Sequence, residues 1–142
     1  MKRSILTLSG IALALALSGC VSDPAKSAGA QAAAPQMSDA EMAAKLKGEW
    51  TGEWSIGNFG GKFVMIVTSV EGTNVKGEGQ WFGTATGDTK AALKTAVVKG
   101  GELSAEQTDG AKFTLKMADV NKLRGTWTVG TYNGPLVVSR TK

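Results

Sequence analysis

From Gly48 onwards, apolar and polar positions alternate in short runs. "ELSAEQ" sets Leu103, Ala105 and Gln107 against Glu102, Ser104 and Glu106. "KFTLKM" sets Phe113, Leu115 and Met117 against Lys112, Thr114 and Lys116. "LRGTWTV" sets Leu123, Gly125, Trp127 and Val129 against Arg124, Thr126 and Thr128. Period two with one wet face is the pattern of an antiparallel sheet covering a core. Turn residues punctuate the runs at Glu71-Gly72-Thr73-Asn74, Lys99-Gly100-Gly101, Asp109-Gly110, Asp119-Val120-Asn121 and Asn133-Gly134. Asn-Gly is the strongest short hairpin signal among them. Eight strands are expected, over 49–56, 62–70, 74–81, 92–99, 102–108, 111–118, 122–131 and 135–141. The connections are short, so sequence neighbours pair. Closing the meander into an all-β, eight-stranded antiparallel up-and-down barrel removes two exposed edges.

The segments upstream depart from this alternation. Ser38-Asp39-Ala40-Glu41 is a capping box. Good helix formers come next, with acids first and lysines last, so a short α-helix is expected from Asp39 to Lys47. Met42 and Leu46 share one face, suited to padding one end of the barrel. Val21 to Gln36, "VSDPAKSAGAQAAAPQ", has too little apolar surface to fold and reads as a flexible tether. As a loose coil its sixteen residues span roughly 20–25 Å. Before it, Ile5 to Leu17 is an apolar run behind Lys2 and Arg3. That run suits a secretory signal core and is short for a membrane span. The expected divisions are 1–19 signal peptide, 20–37 lipidated terminus and tether, 38–47 helix and 48–142 barrel.

Composition narrows the chemistry. The 142 residues contain no histidine and one cysteine, Cys20. Histidine-based catalysis and thiolate metal sites are therefore excluded. Formal charge is +4. Removing Lys2 and Arg3 with the signal peptide leaves 14 basic against 12 acidic residues, or about +2. The lysines are scattered, whereas nucleic-acid binding needs a concentrated basic stripe, so no nucleic-acid partner is expected. Glu53, Glu78 and Glu106 fall on the wet face among lysines and threonines, as solvated charges. No catalytic residue, metal or cofactor is assigned, and the chain is not expected to be an enzyme. "GTATGDTKA", Gly83 to Ala91, lacks the spacing of a phosphate-binding loop. It is expected to be a mobile flap between strands three and four at one barrel mouth, a candidate gate or partner contact.

The N-terminus resembles the lipobox of bacterial lipoproteins: a basic start, an apolar core, then Leu17-Ser18-Gly19-Cys20. The resemblance implies cleavage before Cys20, with acyl chains on its sulfur and amine. Two or more lipid signals hold a protein stably on a membrane. Val21, where a retained inner-membrane lipoprotein would carry Asp, implies the outer membrane, with the domain in the periplasm.

"GEWTGEW" places Trp50, Gly52, Trp54 and Ile56 on one face of the first strand. Gly-x-Trp there, with an arginine near the end of the last strand, resembles the lipocalin and avidin superfamily of barrels. The matching residues are Gly48, Trp50 and Arg140. The resemblance implies that Trp50 packs across the closed end with Arg140 against its ring. Trp54, Trp81, Trp127 and Phe113 are the candidate ligand-binding residues. Gly52, Gly77, Gly79 and Gly125 share their inward faces. Either these glycines leave room for a small apolar or amphipathic ligand, or the rings fill the gaps and the core is solid. The alternative is an envelope protein acting through protein contacts, in outline similar to periplasmic protease inhibitors built as a barrel on an N-terminal trunk.

Overall fold

The computed structural model describes residues 37–141. The signal segment, Cys20 and the tether lie outside the described residues. The helix and the strands belong to one unit, which begins at Met37.

The helix α1 (Asp39–Lys45) starts on the expected capping box. Ser38 Oγ accepts from the Glu41 amide at 3.2 Å, and Glu41 accepts from the Ser38 amide at 2.8 Å. The helix ends two residues before the expected stop at Lys47. The chain must turn there, because Gly48 already opens the first strand.

Eight strands come after it: β1 (Gly48–Ile56), β2 (Phe59–Glu71), β3 (Asn74–Thr84), β4 (Gly87–Lys99), β5 (Glu102–Gln107), β6 (Lys112–Asp119), β7 (Lys122–Val129) and β8 (Tyr132–Arg140). Each pairs antiparallel with its sequence neighbour, and β8 returns to β1, closing the barrel in the order β1 to β8. The closing seam runs from Trp50 opposite Arg140 to Trp54 opposite Leu136. Register shifts at Val67/Ser69 in β2 and Leu93/Thr95 in β4 mark bulges, which bend long strands around a small barrel.

Two expectations about turns are corrected. Gly83 to Ala91 is not a flap. β3 runs on to Thr84 and β4 begins at Gly87, so only Ala85 and Thr86 connect them. Thr84 and Thr89 are β-branched and suit a strand. Gly83 and Gly87 take positive φ, 73° and 96°, which a tight turn requires. The Asp88 carboxylate accepts the Gly83 amide at 2.9 Å, and the Thr84 hydroxyl donates to the Gly87 carbonyl. Likewise Asn133-Gly134 is not the last turn but lies inside β8. The chain reverses at Gly130-Thr131, with Val129 opposite Tyr132. Gly134 serves close approach instead: a Cβ there would sit 1.9 Å from the Ser55 carbonyl oxygen.

The alternation read from the sequence otherwise sorts the faces. Leu103, Ala105, Gln107, Phe113, Leu115, Leu123, Trp127, Leu136 and Val138 all point inward and are buried. Val129, placed on the same face by its spacing, sits at the rim and is exposed.

The helix closes one end. Met42, Ala43 and Leu46 are buried against the core cluster. The Asp39 carboxylate accepts the amides of Gly100 and Gly101 in the β4–β5 turn, at 2.9 and 2.8 Å. Those two bonds, Gly101 first, hold its pKa below the ordinary value, because they favour the charged form. Trp50 is fully buried and donates its indole N–H to the Leu46 carbonyl at 2.8 Å. The Arg140 guanidinium lies 4.3 Å from the Trp50 ring centroid and donates to the Lys45 and Lys47 carbonyls. One cation thus covers the ring and caps carbonyls that the end of a helix leaves unpaired.

Candidate functional site: the mouth opposite the helix

Strands alternate in direction, so the β1–β2, β3–β4, β5–β6 and β7–β8 turns gather at the end away from α1. The two ends differ in composition. At the helix end each turn is flanked by charge: Glu71 before Gly72, Lys99 and Glu102 around Gly100-Gly101, Asp119 and Lys122 around Val120-Asn121. At the mouth, Gly57–Gly61, Gly83–Gly87 and Val129–Pro135 carry none. The charged residue of the fourth turn, Asp109, is spent on its own loop, accepting the Ala111 amide at 3.1 Å. Two aromatics stand out from the uncharged rim, Phe59 at 78% and Tyr132 at 64% exposure.

Beneath the rim lie the three tryptophans singled out from the sequence, and the structure brings them together. Trp54 and Trp127 meet edge to face, 5.4 Å between centroids at 85°. Trp81 lies 6.4 Å from Trp54 and 5.8 Å from Trp127. Below them Phe63 touches Trp81 at 4.3 Å and Phe113 at 5.4 Å. These are the offset and edge-on arrangements aromatic rings prefer. Each indole N–H is used: Trp54 donates to the Phe82 carbonyl at 3.1 Å, Trp127 to the Ser55 carbonyl at 3.2 Å, and Trp81 to Gln107 Oε1 at 2.6 Å. The Gln107 amide group in turn donates to the Gly79 and Ala91 carbonyls, both at 2.9 Å.

The inward glycines do not leave a cup. A Cβ on Gly52, Gly77 or Gly125 would lie 1.7–2.0 Å from a carbonyl oxygen of the neighbouring strand. On Gly79 it would meet Gln107 and Phe63. Glycine is used here to let strands coil tightly, so the space goes to backbone and rings. A concavity of about 700 Å³ lies instead on the outer wall over β1, lined by Thr51, Glu53, Ser55, Lys62, Pro135 and Val137 among others.

Gly48, Trp50 and Arg140 come together at the opposite, closed end, away from the mouth aromatics. Cys20 lies outside the described residues. The outward acids Glu78 and Glu106 sit beside lysines, Glu78 at 2.9 Å from Lys90, and Glu106 at 3.5 Å from Lys94 and 3.7 Å from Lys112. The Lys90 hydrogen bond is the main reason the Glu78 pKa is lowered. Among the described residues no group of three or more Asp, Glu or Cys could hold a metal ion.

Sequence reasoning missed Phe63, Phe59 and Tyr132, and placed Gln107 inward without its partners Trp81, Gly79 and Ala91. Phe63 alternates with Met65 and Val67, which marks an inward face. Gln107 is a polar residue at an inward position, the sign of a buried partner. Phe59 and Tyr132 are lone aromatics inside glycine-rich turns.

No protein-family profile and no curated protein matches the chain. Solved structures do. A redesigned beta barrel is similar over 76% of this chain and 100% of its own, at 11% identity and a TM-score of 0.58. A de novo designed fluorescence-activating beta barrel is similar over 75% of this chain and 100% of its own, at 13% identity and a TM-score of 0.57. A mutant of the fluorescent protein UnaG covers 70% of this chain and 98% of its own, at 13% identity and a TM-score of 0.43. At these identities the chain shares the closed barrel fold with the two designed proteins.

Proposed function

We propose that this chain is an envelope lipoprotein, anchored through Cys20 to the outer membrane with its domain in the periplasm, and that its barrel is a binding module rather than an enzyme. The binding end is the mouth. Its ligand is a small apolar or amphipathic molecule that meets Phe59, Tyr132 and the indoles beneath them. One observation carries this reading: Gly57–Gly61, Gly83–Gly87 and Val129–Pro135 carry no charge and Asp88 beside them is spent on the Gly83 amide, while two aromatics are held out to solvent there. Depletion of charge with enrichment of aromatics is what distinguishes recognition surfaces from ordinary ones. The exposure of Phe59 and Tyr132 also favours a second reading, in which the rim grips an apolar patch on an envelope protein.

The test is native mass spectrometry of the full mature protein from its own host, beside a combined Phe59→Ser/Tyr132→Ser variant. Both side chains are exposed, so the variant is expected to fold. The reading requires a small molecule on the wild type and its loss from the variant. A molecule retained by both places binding elsewhere, and a bare mass for both moves the case to the protein-partner reading. The anchor is tested separately. Cys20→Ser should move the protein out of the outer-membrane fraction, and an unchanged distribution defeats that part.

A further inference from the structure

We propose that the helix end of the barrel is a second membrane contact: α1 and the β4–β5 and β6–β7 turns dock on anionic lipid headgroups, so that the mouth points away from the bilayer. The inference rests on the anchor reading, to which it adds the docking face, the lipid chemistry and the orientation of the domain.

Long cations gather at this end. The Arg140 guanidinium donates to the carbonyls of Lys45 and Lys47, and the Arg140 amide donates to the Asn121 carbonyl at 2.8 Å. Lys122, next to Asn121, stands opposite Ser139 in β8. These contacts bring Lys45, Lys47 and Lys122 to one side of the end. Lys99 flanks the Gly100 and Gly101 amides that Asp39 holds, by the start of α1. Lys45, Lys47 and Lys99 are exposed, and Lys122 is half-buried. Among the described residues, none of the four has a carboxylate within 4.0 Å.

The acids of the same end are tied to backbone amides or paired. Asp39 accepts two amides and Glu41 one. Asp119 accepts the Asn121 amide at 2.8 Å. Glu71 and Glu102 each lie 3.6 Å from a lysine, Lys76 and Lys116. Glu49, half-buried at the start of β1, is the exception. The lysine side chains thus reach out past carboxylates that are held down. Exposed apolar surface lies on the same end, at Met37 and Val120 and at Ala40 and Ala44 of α1. Cations beside small apolar groups suit a headgroup layer, where ammonium meets phosphate and methyl groups meet the first carbons of the acyl chains.

Chain connectivity selects the occupant. The segment that leads back to Cys20 joins the domain at Met37, on this face, so an acylated Cys20 keeps this end within a tether's length of the bilayer. Each lysine or arginine near an anionic surface is worth about fivefold in partitioning. That attraction fades over a Debye length of about 8 Å at physiological salt. The nine residues of β1 rise about 22 Å along the axis of a barrel with tilted strands. Once the helix end is down, the charges near the mouth lie beyond the reach of the headgroups.

The experiment is residue-resolved lysine acetylation, read by mass spectrometry, on the full mature protein in lipid nanodiscs. One set of discs is phosphatidylcholine, and the other is an equal mixture of phosphatidylcholine and phosphatidylglycerol. In the mixed discs Lys45, Lys47, Lys99 and Lys122 should react about threefold or more slowly than in the neutral ones. Lys62, Lys90 and Lys112, towards the mouth, should react alike in both, and high salt should remove the difference. Lys45→Gln/Lys47→Gln should restore reactivity at Lys99 and Lys122, whereas Lys62→Gln/Lys112→Gln, with the same change in charge, should not. The proposal is overturned if the four lysines react alike in both discs or if the mouth lysines slow as much. It is also overturned if soluble polyglutamate protects the four where the mixed discs do not, which would assign the face to an acidic protein. A mass showing Cys20 unmodified defeats the anchor alone. That protein, mixed with vesicles of the same two compositions, must still slow at the four lysines on the anionic ones, or the docking falls as well.

Discussion

Gly125→Ala separates two opposite accounts of the barrel interior. If the inward glycines marked vacant space, a methyl group would be neutral or stabilising, by up to about 1 kcal/mol through the unfolded chain. The structure predicts the reverse sign. The added Cβ would lie 1.7 Å from the Thr114 oxygen, 2.8 Å from its carbonyl carbon and 3.0 Å from the Leu115 Cα, where ordinary contact begins at 3.4 Å. All three atoms are backbone of β6, so no rotamer change relieves the clash. The strands must part by roughly 1.7 Å, which stretches the adjoining ladder bonds past their working length of about 3.2 Å. One or two lost bonds cost about 1 kcal/mol each, and overpacking strain adds about 1–3 kcal/mol. Set against the unfolded-chain gain, the net cost is about 1–4 kcal/mol, a sizeable share of the 5–15 kcal/mol that typically holds a domain. Urea unfolding of the full chain, followed by tryptophan fluorescence, reads this directly. Gly72→Ala is the reference. Gly72 has φ +63° and nothing within 4 Å of its Cβ position, so its change costs only the left-handed backbone penalty, about 1–2 kcal/mol. A midpoint for Gly125→Ala at or above wild type would refute the close-approach reading and restore the cup.

Gln107→Leu strands the Trp81 indole N–H and the Gly79 and Ala91 carbonyls, and should lower stability by about 3 kcal/mol in thermal unfolding. A neutral change would show that the network is dispensable. Arg140→Gln removes the cation from the Trp50 ring, about 0.5–2 kcal/mol, and weakens the cap on α1, so the melting temperature should fall by several degrees. The Asp39 pKa is lowered in the folded state, so its contribution is complete above the unfolded value and fades as pH falls through the folded one. Docking of α1 should therefore weaken below about pH 4, read as Trp50 fluorescence. Asp39→Asn should lose that contribution at neutral pH and show the flatter acid profile. Matching profiles for the two proteins would count against the Gly100–Gly101 clamp.

Much of the fold was legible because alternation and turn chemistry are local. The capping box at Ser38 and Glu41, the β4–β5 turn at Gly100-Gly101 and the inward faces of β5, β6 and β7 follow from neighbours in the chain. The errors arose where a local signal had a distant use. Gly83 to Ala91 has the composition of a loop, yet its flanks pair across to form a two-residue turn. Asn133-Gly134 has the strongest hairpin chemistry in the chain, but Gly134 is needed where β8 crosses close to Ser55. The mouth was half legible. Trp54, Trp81 and Trp127 could be placed on inward faces by period two, but their indole partners could not be read, because Ser55 and Phe82 are brought there only by barrel closure.

The sequence by itself determined the element order, the capped helix and the alternation that makes one face apolar. Each depends on residues within a few positions of one another. Tertiary structure alone decided whether the interior is hollow. That outcome depends on how closely adjacent strands coil, and glycine permits both a void and a close approach. Closure of β8 onto β1 brought carbonyl oxygens within 2 Å of the Cβ positions of Gly52 and Gly134, and tight coiling did the same at Gly77 and Gly125. The rings of Trp54, Trp81 and Trp127 took what space remained.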